Sequence, residues 1–219
     1  MTVSVCAAVM LAVGGLAYFF SPSMVVLFRA GRVIKPYYIP SESMLPTLNV
    51  NDRIMPLALP TQKIDRGMIL LFNVADGVRV ARAVGLAGDT IEMRDGILFI
   101  NSSAALQRPI GPGPTLSDGT KTQMMAERLP DEDQEHLVLD AGASEGDNTA
   151  LVRVPAGSIF VLGDNRDFAA DSRFPLSQLG VEMVPASGVI GIVDTLYWSK
   201  DRARIGAPID RSVPRQVAP

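Results

Sequence analysis

Residues 37–48, with the sequence Tyr-Tyr-Ile-Pro-Ser-Glu-Ser-Met-Leu-Pro-Thr-Leu, carry two serines that could supply a nucleophile. The first three residues favour an extended backbone, and Pro40 keeps the residue before it extended. The polar run that follows is typical of a turn, so the pattern predicts a strand that ends by exposing a serine hydroxyl. Such a hydroxyl is a poor nucleophile unless a neighbouring base takes its proton. The alternative is that Ser41 and Ser43 are ordinary turn residues.

Few other residues in the sequence could support catalysis or hold a metal ion. The only cysteine and the only histidine, Cys6 and His136, lie 130 positions apart and do not form a metal-ligand cluster. Cys6 also has no partner for an internal disulfide. His136 lies beside acidic residues in a polar segment, which predicts a solvated surface side chain. We therefore expect no metal site.

The composition predicts a folded domain and excludes one class of partner. A chain of 219 residues with 47% hydrophobic and 20% charged residues can bury a core, so it is not disordered throughout. Its net charge of -3 gives no electrostatic reason to expect a nucleic acid as partner.

The N-terminus predicts a membrane anchor over residues 1–28. Residues 3–20 contain no charge, and apolar residues resume at 24–28, which is long enough to cross the core of a lipid bilayer. A cleavable signal peptide is a weaker alternative, because no basic region precedes the run and no small-residue cleavage site closes it. A buried soluble helix is disfavoured because the run has no polar face.

Short apolar segments separated by turn residues predict a mainly β fold with a coiled antiparallel β domain, formed by residues 29–101 and 150–198. Asp76-Gly77 and Asp95-Gly96 lie between paired runs, where hairpin turns are expected. Between the two halves, residues 102–149 are rich in Ser, Gly, Pro and acids, which predicts a solvated insertion or small subdomain. Residues 199–219 are predicted to be a frayed C-terminal tail.

Four stretches resemble, in the same order, the sequence boxes of the type I signal peptidases. Residues 41–48 (Ser-Glu-Ser-Met-Leu-Pro-Thr-Leu) are similar to the nucleophile box of that family, and residues 66–72 (Arg-Gly-Met-Ile-Leu-Leu-Phe) to its next strand. Residues 82–89 (Arg-Ala-Val-Gly-Leu-Ala-Gly-Asp) and 163–173 (Gly-Asp-Asn-Arg-Asp-Phe-Ala-Ala-Asp-Ser-Arg) resemble the last two boxes. Four ordered boxes are far more specific than one short motif.

The resemblance implies a membrane serine endopeptidase that cleaves signal peptides from exported preproteins with a Ser-Lys dyad and without a cofactor. It implies that Ser43 is the nucleophile and that Ser41 donates to the oxyanion. The lysine base of the family corresponds to Ala81, and the serine that orients that lysine corresponds to Ala169. The general base is therefore missing from its expected position.

The resemblance also implies roles for further residues of the candidate site. Those expected to line the substrate pocket are Ile39, Pro40, Leu48, Arg79 and Val80. Those expected to pair with one another, and so to hold the last box against the serine, are Arg82, Asp167, Asp171 and Arg173.

Three functional hypotheses follow. The chain is a signal peptidase, a catalytically impaired homologue that binds signal peptides or a peptidase or secretion-machinery partner without cleavage, or an enzyme with a displaced base. Lys63 and His136 are the candidates for such a base.

The family implies a single-pass protein of the inner membrane with its domain on the outer, periplasmic face. The basic residues Arg29, Arg32 and Lys35 after the span favour the opposite orientation.

Overall fold

A computed structural model of the protein describes residues 35–58 and 64–209. The predicted anchor over residues 1–28 and the candidate base Lys63 lie outside these ranges. In the part of the chain that is described, no helix has the length and apolarity needed to cross a bilayer.

Antiparallel strands account for nearly all of the regular structure in the described ranges, as the sequence predicts. Fifteen strands are described: β1 (Tyr37–Tyr38), β2 (Arg53–Ile54), β3 (Ile69–Val74), β4 (Gly77–Gly85), β5 (Thr90–Arg94), β6 (Ile97–Ile100), β7 (Ser103–Ala104), β8 (Leu106–Thr115), β9 (Lys121–Arg128), β10 (Glu135–Asp140), β11 (Val152–Arg153), β12 (Ser158–Leu162), β13 (Val184–Pro185), β14 (Val189–Ile192) and β15 (Leu196–Trp198). Short 3-10 turns are the only helical elements in these ranges. The prediction of a mainly β fold is therefore confirmed.

The strands form four sheets around the β3–β4 hairpin. The central sheet has the order β13-β12-β4-β3-β14, and the others are β11-β5-β6-β7, β1-β2-β15 and β10-β9-β8. Two predicted hairpin turns are confirmed, since β3 pairs with β4 and β5 pairs with β6. Asp95 and Gly96 both have positive φ angles, 47° and 75°, as a two-residue turn of this handedness requires.

The β3–β4 hairpin is buried on both faces because its side chains alternate between two apolar clusters. Leu70, Phe72 and Ala81 pack on one side with residues of β12 and β13. Ile69 and Leu71 pack on the other side with residues that follow β1 and with β15. The hairpin is therefore held rigidly. Its strand β4 places Ala81, where the family has its base, at the edge of a cleft.

Most of the polar segment 102–149, predicted to be a solvated insertion or small subdomain, folds as a small sheet. Strands β8, β9 and β10 form two successive antiparallel pairs, and β9 and β10 direct residues such as Ala126, Val138 and Leu139 into the interior. The prediction of a surface position for His136 is wrong, since only 6% of this residue is exposed. Its acidic neighbour across the pair, Glu127, is also inward-facing and accounts for the burial of a polar ring.

The segment after β15 is packed as far as residue 209, so the prediction of a frayed tail is wrong for this part. Ser199 is buried and donates a hydrogen bond to Asp52 at 2.7 Å. Arg204 forms an ion pair with the same carboxylate at 2.8 Å. The buried Asp52 carboxylate thus holds the polar tail in place through hydrogen bonds. A sequence without apolar periodicity gives no sign of such polar contacts. Residues 210–219 lie outside the described ranges.

Candidate active site

The turn after β1 presents the two serine hydroxyls of the candidate site. Ser41 Oγ and Ser43 Oγ lie 3.1 Å apart, within hydrogen-bond distance. The turn is closed by a hydrogen bond from Leu45 N to Glu42 O at 3.0 Å. Met44 points inward and is fully buried, so it anchors the turn, while Ser41 and Ser43 before it remain partly accessible. The structure therefore brings together the predicted nucleophile and oxyanion donor.

A cleft of about 390 Å³ lies in front of the serine turn. It is lined by the predicted pocket residues Ile39, Pro40, Arg79 and Val80, by both serines, and by Ala81 and Ala169. Leu48 does not line it: this side chain is fully buried in the cluster beneath the turn. The turn that runs from Met44, closed by a hydrogen bond from Leu48 N to Met44 O, directs Leu48 inward rather than toward the cleft.

Ala81 and Ala169 line the same cleft as Ser43, although 88 positions separate them in the sequence. Ala81 lies in β4 opposite Leu70, and Ala169 packs against Gly163 in the last box. The residues described as lining the cleft include no lysine and no histidine. Arg79 is present, but a guanidinium stays protonated and cannot act as a general base. Among the described side chains, the hydrogen-bond partner of the Ser43 hydroxyl is Ser41.

Arg79 joins the edge of β4 to the loop that closes the far end of the cleft. Its Nη1 donates to the carbonyl oxygens of Leu179, at 2.7 Å, and Ala170, at 3.3 Å. Its Nη2 pairs with Asp76 at 3.2 Å. Because three acceptors hold the guanidinium, Arg79 acts as a wall of the cleft rather than as a free charge within it.

Arg82 forms a buried ion pair with Asp164, a residue of the last box. Two parallel hydrogen bonds of 2.8 and 2.7 Å join the guanidinium to the carboxylate, and Thr47 donates to the same carboxylate at 2.5 Å. Burial raises the pKa of Asp164, but the charge and hydrogen bonds of Arg82 outweigh that effect, so the net pKa lies below its ordinary value. The pair ties β4 to both the serine segment and the last box.

Of the four residues expected to pair with one another, Asp171 and Arg173 do so, whereas Arg82 and Asp167 have other partners. Asp171 pairs with Arg173 at 2.9 Å and accepts a hydrogen bond from Gly163 N at 3.0 Å. Asp167 accepts from Ala141 N at 2.6 Å, which attaches the box to the end of β10. These carboxylates stabilise the loop that carries Ala169, and it is Asp164 that reaches Arg82.

A second buried cluster, formed by Glu127, Arg166 and His136, supports the last box from the side of β9. Glu127 is fully buried, pairs with the two terminal guanidinium nitrogens of Arg166, and lies 3.2 Å from His136 Nε2. Burial raises the pKa of Glu127, but the Arg166 charge and the histidine more than compensate, and the net pKa is far below its ordinary value. His136 thus faces Glu127 and is not among the residues that line the serine cleft.

Glu127 was not identified from the sequence. It stands in a strand whose alternation of side chains is not regular, and its partner Arg166 lies 39 positions away. Asp164 and Arg166 do belong to the Gly-Asp-Asn-Arg stretch, so the box marks them as important without revealing their partners. Within the described ranges, no three His, Cys, Asp or Glu side chains are grouped so that they could hold a metal ion.

Comparisons with known proteins agree with the four boxes. The family model described as "Signal peptidase, peptidase S26" matches residues 12–198. Signal peptidase I of Pseudomonas fluorescens is 31% identical over 206 residues, which cover 83% of this chain and 70% of that protein. Signal peptidase I S of Bacillus subtilis (strain 168) is 33% identical over 144 residues, covering 64% of this chain and 67% of that protein.

A solved structure of a signal peptidase I from Enterococcus faecalis V583 aligns with 60% of this chain and 97% of its own chain, at 26% identity and a TM-score of 0.35. The match of the family model over residues 12–198 includes all four boxes and both alanine positions. This chain belongs to the type I signal peptidase family, the serine endopeptidases that cleave signal peptides.

Proposed function

We propose that this protein binds the signal peptides of exported preproteins in the serine cleft and cleaves them poorly, because the catalytic serine lacks a general base. The observation that carries the proposal is the environment of Ser43. Its hydroxyl contacts Ser41. Ala81 and Ala169 line the cleft at the positions where a base and the group that orients it are expected.

The size of the expected defect follows from the chemistry. Ser43 must lose a proton as it attacks a carbonyl, and a positioned base contributes about 100- to 10,000-fold to such a step. The oxyanion donors do not depend on that base, so Ser41 and the Ser43 backbone N–H keep part of the rate acceleration. Cleavage is therefore expected to be slow rather than strictly absent.

Peptide binding does not require the missing base. Strand β1 pairs on one side with β2, and β12 pairs with β4 only from Arg82 onward in the described chain. The backbone of residues 78–81 on the cleft side of β4 is thus available to an extended peptide, which could add as a strand between β4 and β1. Ile39, Pro40 and Val80 would contact its side chains.

We further propose that residues 1–28 anchor the protein in the inner membrane and that the β domain lies on the outer face. The uncharged run over residues 3–20 supports the anchor, and family membership supports the orientation. Signal peptides are themselves membrane-associated, so an anchored cleft would meet them at the bilayer surface. A peptidase or another component of the secretion machinery is the further partner that this arrangement would suit.

The test measures binding and cleavage with the same substrate. Full-length protein in detergent is mixed with a fluorescent preprotein-derived peptide that spans the cleavage site. We expect saturable binding, and cleavage at least 100-fold slower than that of an active relative such as signal peptidase I of Pseudomonas fluorescens. Ser43→Ala should leave the binding unchanged. Fast cleavage that Ser43→Ala abolishes would instead support a displaced base, and absence of binding would refute the proposal.

A further inference from the structure

The small sheet of strands β8, β9 and β10 contacts the serine turn directly, through the hairpin between β8 and β9. We propose that Ser117, at the tip of this hairpin, is a positioning residue that fixes the two catalytic-type serines by holding Glu42 between them. The inference rests on the proposed function of the serine cleft as a peptide site. It assigns a role to a segment whose polar composition predicts only a solvated insertion or a small subdomain.

The contact between the hairpin and the turn is bidentate. The Glu42 carboxylate accepts one hydrogen bond from Ser117 N and one from Ser117 Oγ, both at 2.9 Å. Glu42 is the residue between Ser41 and Ser43, so a shift of its backbone must move both hydroxyls. Hydrogen bonds to an ionised acceptor are stronger than bonds between neutral groups, which suits this contact to a positioning role.

The hairpin tip is itself held in place. Leu116 N donates to Thr120 O and Gly119 N donates to Leu116 O, both at 2.9 Å, which closes the turn around Ser117. Gly119 has a φ of +89°, which favours glycine and permits this tight loop. Leu116 is buried, with 3% of the residue exposed. Ser117 is therefore presented from a packed support.

The last box, which bonds to β10 of the same sheet, also holds the serine turn through Asn165. The Asn165 side chain donates to Glu42 O at 3.1 Å, and its backbone N donates to Ser43 O at 3.0 Å. Asn165 in turn lies beside β10, where Leu139 N donates to Asp164 O at 2.8 Å and Arg166 N donates to Leu139 O at 3.1 Å. The β8–β9 hairpin and the last box thus both hold this turn.

The position of the serine turn should matter more for a tetrahedral adduct on Ser43 than for binding of the unreacted peptide. An extended peptide would bind mainly along β1 and β4, which do not include Ser117. A tetrahedral adduct at Ser43 also needs the Ser41 hydroxyl and the Ser43 N–H at the correct positions. Loosening the turn should therefore weaken a covalent adduct on Ser43 more than it weakens non-covalent binding of the peptide.

The experiment compares two peptides of identical sequence on the full-length protein. One ends in the boronic acid analogue of alanine, and the other ends in alaninamide. The boron atom forms a B–O bond to Ser43 Oγ, the serine O–H bond breaks, and its proton passes to solvent, so the adduct is an anionic tetrahedral boronate. The difference in affinity between the two peptides reports the geometry around Ser43 without requiring a general base.

For Ser117→Ala, which removes the hydroxyl but keeps the backbone donor, we expect about a tenfold loss of boronate affinity, as for one hydrogen bond to a charged group. The affinity for the amide peptide should change by less than about twofold. Glu42→Gln should produce a similar pattern, and the double variant should lose little more than either single variant. Ser103→Ala, an exposed serine in β7, is the matched control and should leave both affinities unchanged.

Equal losses for both peptides, or no loss for either, would overturn the positioning role. If the native protein binds neither peptide, the proposed peptide site fails, and amide hydrogen exchange then decides on the hairpin separately. The Leu45 amide is bonded to Glu42 O, so Ser117→Ala should speed its exchange severalfold if the hairpin holds the turn. Unchanged exchange at Leu45 would refute the inference.

Discussion

Gly163 packs directly against Ala169, so closely that a Cβ atom on the glycine would overlap the Cβ of the alanine. The same added atom would also lie 2.7 Å from the Ser43 carbonyl oxygen. Gly163 therefore lets the last box approach the serine turn and one wall of the cleft at the same time. Its φ is not among the positive values, so close approach rather than backbone conformation explains the residue.

We expect Gly163→Ala to lower the free energy of unfolding by about 1–3 kcal/mol, the usual range for overpacking a filled site. The serine turn should move with it, so affinity for the signal peptide should fall as well. Denaturant unfolding and peptide titration measure the two effects. Adding Ala169→Gly should recover part of the stability, because it removes one of the two overlapping groups.

Gly188→Ala is the control for the loss of a glycine as such. The nearest atom to a Cβ at this position is the Asn73 carbonyl oxygen, at an ordinary contact distance of 3.8 Å. The free energy of unfolding and the peptide affinity should therefore stay close to those of the native protein. A Gly163→Ala protein as stable as Gly188→Ala would show that the last box does not pack against the turn as described.

Restoring the base should restore cleavage. In the variant Ala81→Lys with Ala169→Ser, the new lysine would extend into a cleft partly lined by Phe72 and Val181. Removal from water lowers the pKa of an amine, so a neutral fraction becomes available to accept the Ser43 proton. We expect the rate of preprotein cleavage to rise at least about tenfold over the native protein.

Two variants separate base catalysis from a change in packing. Ala81→Met with Ala169→Ser has a side chain of similar length without a basic group, and it should show no gain. Adding Ser43→Ala to the lysine variant should remove the gain. If the lysine variant folds and binds peptide but is no faster than the methionine variant, the missing base is not what limits this protein.

The sequence predicts the local turns and the identity of the site better than it predicts the contacts that support the site. The Asp95-Gly96 turn is set by two adjacent residues, and the serine box is contiguous, so both are readable from the chain. Strand β8 contains Pro109, Pro112 and Pro114, which suggests a loop. It occupies the edge of its sheet, where a missing N–H donor costs no internal hydrogen bond.

The buried charges were not predictable in the same way. His136 lies in a segment of acidic, solvated character, and its burial depends on Glu127, which faces it from the next strand. Glu127 in turn depends on Arg166, which only the folded chain brings alongside. The composition of a segment does not show which of its charged residues pair in the interior, because those contacts form only in the folded chain.

Breaking the pair between Arg82 and Asp164 should strongly destabilise the protein. Arg82→Leu would leave the fully buried Asp164 carboxylate with Thr47 as its remaining side-chain donor. An uncompensated buried charge of this kind costs about 3–5 kcal/mol of the free energy of unfolding. Urea unfolding measures the loss, and Arg82→Leu with Asp164→Leu should recover part of it because neither variant residue then leaves an unpaired charge buried.

The ion pair between the exposed Arg94 and the half-buried Glu92 is the control for loss of an ion pair as such. Solvent screens this pair, so Arg94→Leu should have little effect on the free energy of unfolding. Equal effects of Arg82→Leu and Arg94→Leu would contradict the buried position of the first pair.

Stability should fall in acid, and Glu127 should be a main cause. Because the pKa of Glu127 is lower in the folded protein than in the unfolded chain, the unfolded chain binds more protons in acid. The stabilisation from Glu127 is therefore fully present above the ordinary glutamate pKa of about 4.3 and is lost progressively as the pH falls below it. Asp164, whose pKa is also lowered, contributes in the same direction.

Urea unfolding between pH 3 and pH 7 tests this cause with the variant Glu127→Gln. At pH 7 the variant should be less stable by about 3–5 kcal/mol, since Arg166 loses its buried counter-charge. At pH 3 the difference from the native protein should narrow, because the native carboxylate is then losing its own contribution while glutamine does not titrate. Glu145→Gln, at an exposed carboxylate, should follow the native profile. A difference between Glu127→Gln and the native protein that stays constant from pH 7 to pH 3 would show that Glu127 does not titrate on unfolding.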